Sequence, residues 1–182
     1  ASGRTESRGE HTAEAAIIGN TLARIATEGV GEEGGRPETI AVAALYHDAS
    51  EIMTGDMPTP VKYKNPELKN AYKALERESA ESLAHLMPKA LQPALGGYLT
   101  GDALTGEEHK LMKAADRLSA LIKCLEEEAA GNREFSSAKA QQLQLLPGMD
   151  CPAADHLITH FLPSYEKNLD ELTRWPEEMD RN

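Results

Sequence analysis

Aromatic side chains are scarce: they make up 4% of the 182 residues, with one Trp and two Phe. A β-rich fold draws on aromatic and β-branched residues, whereas the plentiful Ala and Leu here favour helices packed on small side chains. Cysteine is equally sparse. Cys124 and Cys151 are the only two, which is no disulfide framework. Cys124 is expected to be a buried residue on a helix, Cys151 a bystander in a loop. No apolar run approaches the length of a membrane span, and no secretory leader is recognisable. The expected compartment is therefore cytoplasmic, without a membrane partner. Positive charge is also short, with 19 basic residues against 30 acidic ones and a net charge of −11. Such a surface repels phosphate backbones and argues against nucleic acid as a partner. A small anionic substrate stays compatible with it if a bound dication reverses the local sign. What remains is an ordinary globular composition, 40% apolar and 27% charged, long enough for one domain with a sizeable core. Residues 1–182 read as a single all-α domain.

Periodicity and punctuation supply the helices. His11, Ala15, Ile18, Leu22 and Ile25 recur at intervals of three and four, which predicts a helix from about Glu10 to Thr27. Pro37 and Glu38 suit a helix start, and the second helix is expected to run unbroken to Gly55, carrying His47, Asp48 and Glu51. Asp56-Met57-Pro58-Thr59-Pro60 should then be a rigid, extended loop, because two prolines in three residues oppose a helix. Asn65-Pro66 predicts the start of a long helix to about Met87, whose charges Glu76, Arg77, Glu78 and Glu81 read as a solvated face. Pro88, Pro93, Gly96 and Gly97 should break the next stretch into short pieces. Thr105 and Glu108 form a capping box for a helix to about Ala130, with Leu111, Ala115, Leu118, Ile122 and Leu125 as its apolar stripe. Further helices are expected over Glu134–Leu145 and from Pro152, the last interrupted by Pro163 before Trp175-Pro176.

Four residues in this frame have donor atoms suited to a metal. His47 and Asp48 are adjacent and offer one nitrogen and one oxygen, a mixture that suits borderline first-row dications. Glu51 lies one turn further along and projects over the same point. His11 opens an apolar stripe, where a free polar ring is costly, and Asp116 sits among Ala114, Ala115 and Leu118. Taken singly, each has a plainer reading: a satisfied core histidine, a salt-bridged aspartate, a chance dipeptide. Taken jointly, an early His, a His-Asp pair and a late helical Asp point to a metal centre. His156 and His160 share a helical face, but no third ligand is evident near them, and His85 and His109 read as ordinary positions. Lys62 could face a phosphate, though an exposed loop lysine is the simpler reading.

The order His…His-Asp…Asp on an all-α chain resembles the HD-domain superfamily of metal-dependent phosphohydrolases. The words Glu10-His11-Thr12, Ala44 to Glu51, Thr54 to Tyr63, Lys113 to Asp116 and Leu121 to Glu127 resemble more specifically the bacterial 5′-deoxynucleotidases of the YfbR family. That resemblance implies a single HD-domain helical bundle that hydrolyses deoxyribonucleoside 5′-monophosphates to deoxynucleoside and phosphate. His11, His47, Asp48 and Asp116 would hold one divalent cation (Co²⁺, Mn²⁺, Ni²⁺ or Zn²⁺), and Glu51 would be the catalytic carboxylate. His11, Asp48, Asp56, Met57, Pro58, Thr59 and Asp116 would contact the nucleotide, and the working unit would be a homodimer. The family carries an Arg-Trp pair upstream of its first His that helps enclose the substrate. No motif here maps onto that pair, so the N-terminal segment of the family is expected to be missing. The alternatives are an HD hydrolase for guanosine tetraphosphate, a cyclic nucleotide or a nucleoside triphosphate, or a catalytically silent metal- or nucleotide-binding helical module.

Overall fold

A computed structural model describes residues 7–57, 59–62 and 64–167 of the chain. Among these residues the structure is helical, with no strand. Helix α1 (Arg8–Arg24) starts on a capping box that the sequence reading missed. Ser7 Oγ accepts from the Glu10 N–H at 3.2 Å, and Glu10 accepts from the Ser7 N–H at 2.8 Å. α1 then widens into a π-turn over Ile25–Gly29, short of the regular end expected at Thr27. The Ala23 carbonyl there takes the Thr27 hydroxyl, and the returning loop passes so close that a Cβ on Gly34 would stand 2.0 Å from it.

The core forms where α1 meets α2 (Pro37–Tyr46) and both meet the long helix α7 (Gly106–Ala129). Leu22 from α1, Ile40 from α2, and Leu118 and Leu121 from α7 are fully buried, each stabilising by about 1.5–3 kcal/mol. The predicted α7 stripe is buried along its length. Small residues bring the three helices close together. A Cβ on Gly19 would lie 3.0 Å from Ile40 Cγ2 and 3.6 Å from Ala115 Cβ, so glycine fixes how nearly α1 approaches the segment that carries Asp116.

A second device ties the starts of α2 and α7 together. Glu108, 1% exposed, completes the predicted capping box on Thr105. It also accepts three hydrogen bonds from Arg36, from the backbone N–H at 2.9 Å, Nε at 2.8 Å and Nη2 at 2.7 Å. These bonds hold its carboxyl down at about 2 against burial, which acts the other way.

Two short helices, α3 (Glu51–Thr54) and α4 (Thr59–Lys62), lead to the 21-residue α5 (Pro66–Leu86), which starts on an Asn65 cap. The extended loop expected over Asp56-Met57-Pro58-Thr59-Pro60 does not reach its end: α4 starts at Thr59, and Pro60 falls within its first turn, where a missing N–H costs nothing. Gly96 and Gly97 likewise do not break the chain. They lie inside α6 (Gln92–Thr100), where a Cβ on Gly97 would meet Ala103 N at 3.3 Å. That space lets the chain turn at Gly101, in the left-handed region at φ +82°, and fold back onto α6. α8 (Ser136–Leu145) follows a 3₁₀ turn, and α9 (Pro152–His160) starts at its predicted proline. Pro163 lies in a closing 3₁₀ turn, Leu162–Glu166, while Trp175-Pro176 lies outside the described residues. Cys124 is buried on α7 as expected, but Cys151 is no loop bystander: it caps α9 and is buried in the main core.

Candidate metal centre and its cavity

The helix expected to run from Pro37 to Gly55 is interrupted at its most important point. α2 ends at Tyr46, and His47–Ser50 form a tight turn before α3. There the backbone bonds span three residues, Ala49 N–H to Tyr46 and Glu51 N–H to Asp48, each at 3.0 Å. The His47 ring supplies a reason: its Nδ1 donates to the Ala44 carbonyl at 2.6 Å, competing with the regular helical ladder. The same bond leaves Nε2 as the imidazole nitrogen that faces inward.

His11, near the start of α1, is oriented in a similar way. The Ser119 hydroxyl donates to a Glu14 carboxylate oxygen, so its contact with His11 Nδ1, at 3.1 Å, has the imidazole N–H as donor. His11 Nε2 is thereby turned toward Asp116 Oδ1, 3.1 Å away. His47 Nε2 lies 3.6 Å from that oxygen and 3.0 Å from Asp48 Oδ1, while Asp48 Oδ2 lies 3.9 Å from His11 Nε2. One donor atom each from His11, His47 and Asp116 falls within a 4.8 Å span, and the Asp48 carboxylate borders it. The four residues put forward from the sequence converge, from α1, the α2–α3 turn and α7.

The chemistry of this cluster fits a cation. His47 Nε2 is buried and has no hydrogen-bond partner despite its two carboxylate neighbours; in the neutral ring, whose Nδ1 keeps its proton on the Ala44 carbonyl, the Nε2 lone pair is directed at the point of convergence. Burial pulls the His47 imidazole down, but Asp116, Asp48 and the Ala44 carbonyl outweigh it and lift it to about 9. His11 is raised too, chiefly by its bond to Asp116. For Asp116 burial acts upward, and the two imidazoles more than reverse it, holding its carboxyl far below the ordinary range. Asp48 is raised, first by burial and then by Asp116, with Asp56 adding to it. The raised imidazoles and the depressed Asp116 carboxyl have one cause, the close packing of imidazoles and carboxylates, and such a group favours a positive charge held between its carboxylates.

A cavity of about 350 Å³ opens beside the cluster, lined by His47, Asp48, Glu51 and Asp116 among others, a size that suits a small-molecule ligand. Glu51 thus shares the cavity with the proposed ligands. Asp56 is near enough to act on Asp48, but neither it nor Met57 lines the cavity; Thr59 opens α4, and Pro58 lies outside the described residues. Several lining residues were missed in the sequence. Two members of the expected solvated face of α5, Glu76 and Arg77, form part of the wall. Lys62 is likewise no exposed loop lysine: it pairs with Glu76 at 2.6 Å and lies over the Tyr72 ring. Tyr98 closes the wall from α6, stacked on Tyr46 with centroids 6.3 Å apart. His109 and Lys113 line it from α7, seven and three residues before Asp116. Their shared helical face was available as a signal. The His156 and His160 rings lie 4.4 Å apart, tilted by 45°, and neither lines the cavity.

Residues 2–165 match the family model described as 5′-deoxynucleotidase YfbR-like. The chain is 40% identical over 171 residues to 5′-deoxynucleotidase YfbR of Escherichia coli O1:K1, covering 94% of this chain and 85% of that protein. It is also 40% identical over 170 residues to a 5′-deoxynucleotidase of Yersinia pestis, covering 93% and 86%. Among solved structures, an HD-domain phosphohydrolase from Listeria innocua superimposes with a TM-score of 0.73 at 24% identity, over 88% of this chain and 77% of that one. The last likeness shows the HD-domain fold. With a family match that takes in His11, the His47-Asp48 turn, Glu51 and Asp116, the chain belongs to the YfbR-like 5′-deoxynucleotidase family.

Proposed function

We propose that this protein is a 5′-deoxynucleotidase, a phosphoric monoester hydrolase that converts deoxyribonucleoside 5′-monophosphates to deoxynucleoside and inorganic phosphate. The observation that carries the reading is the convergence of His11, His47, Asp48 and Asp116 beside a cavity that also holds Glu51. In this reading those four side chains bind one divalent cation. Mixed nitrogen and oxygen donors suit Mn²⁺, Co²⁺, Ni²⁺ or Zn²⁺. When bound, such a cation polarises the phosphoryl oxygens and lowers the pKa of a coordinated water.

The remaining work falls to the protein. Ala44 and Ser119 hold the two imidazoles in the tautomer whose Nε2 faces the convergence point. Glu51, on the cavity wall, orients the attacking water in line with the 5′-oxygen and takes its proton. Lys113, one turn before Asp116, adds a cation where the phosphate enters. The cavity beyond, walled by Tyr98, Thr100 and His109, receives the nucleoside; nucleotide contacts from Asp56, Met57, Pro58 and Thr59 are what the family resemblance adds. That resemblance also implies a homodimer, which sedimentation of the purified chain would test. Among the described residues no helix is long and apolar enough to cross a membrane.

The test is phosphate release from dAMP and AMP in parallel, after chelation and re-addition of Mn²⁺, Co²⁺, Mg²⁺ or Zn²⁺. The expected result is cation-dependent release from dAMP with little from AMP. Equal release from both would remove the sugar selectivity. No release under any cation would overturn the proposal.

A further inference from the structure

A buried hydroxyl and a half-buried carboxylate stand on the far side of His11. Ser119 is 0% exposed, flanked on its helix by Leu118, Leu121 and Ile122, and a hydroxyl in such surroundings costs stability unless it is bonded. It makes two bonds. Its oxygen is 3.1 Å from His11 Nδ1, and its proton goes to a Glu14 carboxylate oxygen at 2.5 Å. Glu14 lies three residues after His11 on α1, and Ser119 three residues after Asp116 on α7. The packing of α1 on α7 therefore closes a chain from carboxylate to hydroxyl to imidazole. The direction of each bond is fixed, because an ionised carboxylate only accepts and a hydroxyl has one proton to give.

We infer that Ser119 and Glu14 are positioning residues for the centre: they set the tautomer and plane of the His11 ring and, through Ser119, pass the negative charge of Glu14 to the imidazole, increasing the donor strength of Nε2. The inference rests on the reading of His11 as a metal ligand. His47 obtains the corresponding bond from the Ala44 carbonyl in its own turn, which side-chain substitution does not remove. His11 depends on two replaceable side chains in different helices. Groups of this kind behind a ligating imidazole change cation affinity by about 10–100-fold.

The experiment is Mn²⁺ binding to the full chain by titration calorimetry, for the wild type, Ser119→Ala and Glu14→Gln, with the unfolding temperature of each chelated protein recorded alongside. Ser119→Ala should weaken the Mn²⁺ dissociation constant by about 10–100-fold. Glu14→Gln, whose amide oxygen still accepts from Ser119, should weaken it less. If burial makes Ser119→Ala unable to fold, Glu14→Gln carries the test, since Glu14 is only half-buried. A dissociation constant within twofold of wild type in the variants that fold, with a lowered unfolding temperature, would overturn the inference and leave a simple helix-to-helix hydrogen bond. A wild type that takes up neither Mn²⁺ nor Co²⁺ would overturn the ligand reading of His11 itself, a failure that the comparison with wild type separates from the first.

Discussion

Replacing Glu108 with Gln tests whether the pin between α2 and α7 is electrostatic. The carboxyl is pulled from its ordinary 4.5 to about 2, first by the Arg36 hydrogen bonds, against burial, with the Thr105 and Arg36 backbone N–H groups adding to the pull. At about 1.4 kcal/mol for each tenfold change, the preference for the charged form is capped at about 3 kcal/mol. The Arg36 side chain is 57% exposed, so water screens part of the attraction, and about 2 kcal/mol is the working figure. For a chain of this length that corresponds to a fall in Tm of about 4–8 °C for Glu108→Gln near neutral pH. Because the folded pKa is depressed, the contribution is complete above about 4.5 and is lost as pH falls toward about 2. The gap between wild type and Glu108→Gln should therefore be widest at pH 7 and shrink steadily below pH 4.5. Thermal unfolding followed by circular dichroism at pH 7, 5, 4 and 3, with chelator present throughout, measures it. A gap that stays constant across that range, or one under about 1 °C at pH 7, would refute the electrostatic account.

Glu51→Ala should lower kcat for dAMP by at least about 100-fold while Mn²⁺ content, measured by elemental analysis, stays near wild type; retained turnover would defeat the assigned role. Asp48→Ala should lose both activity and bound metal, and full occupancy in that variant would take Asp48 out of the ligand set. Lys113→Ala should raise KM for dAMP by about 5- to 10-fold with a smaller change in kcat, consistent with about 1 kcal/mol from a water-exposed cation, as steady-state kinetics would show. Gly101→Ala places a side chain at φ +82°, with its Cβ 2.9 Å from His109 Cε1. It should cost about 1–2 kcal/mol, seen as a lower urea midpoint.

The fold was largely legible because its signals are local. The α7 capping box and apolar stripe and the proline starts of α2, α5 and α9 depend on neighbours three or four residues apart, and all were readable. The four ligand candidates were legible only jointly, as an early His, a His-Asp pair and a late helical Asp in the order that the family resemblance carries; singly each had a plainer reading. What escaped depends on partners distant in sequence. Nothing near Glu108 announces Arg36, 72 positions away. Nothing near Glu76 shows that Lys62 turns it from solvent toward the cavity. The break after Tyr46 comes from the His47 ring competing for the Ala44 carbonyl, a choice that periodicity does not encode. Gly96 and Gly97 looked like helix breakers because the close approach of Ala103, which uses the small size of Gly97, belongs to the tertiary fold.

The donors at the centre come from three stretches of chain, and His11 and Asp116 are 105 positions apart. An ion held by them acts as a removable cross-link across most of the described fold. It closes long loops, whose closure entropy must be met before the ion can be gripped. No piece of the chain lacking α1 or α7 has the full donor set. On the proposed ligand set, cation retention would therefore report on the assembly of the whole bundle. A nicked or half-unfolded molecule would give up its ion, and with it any hydrolytic capacity, before it lost most of its helix.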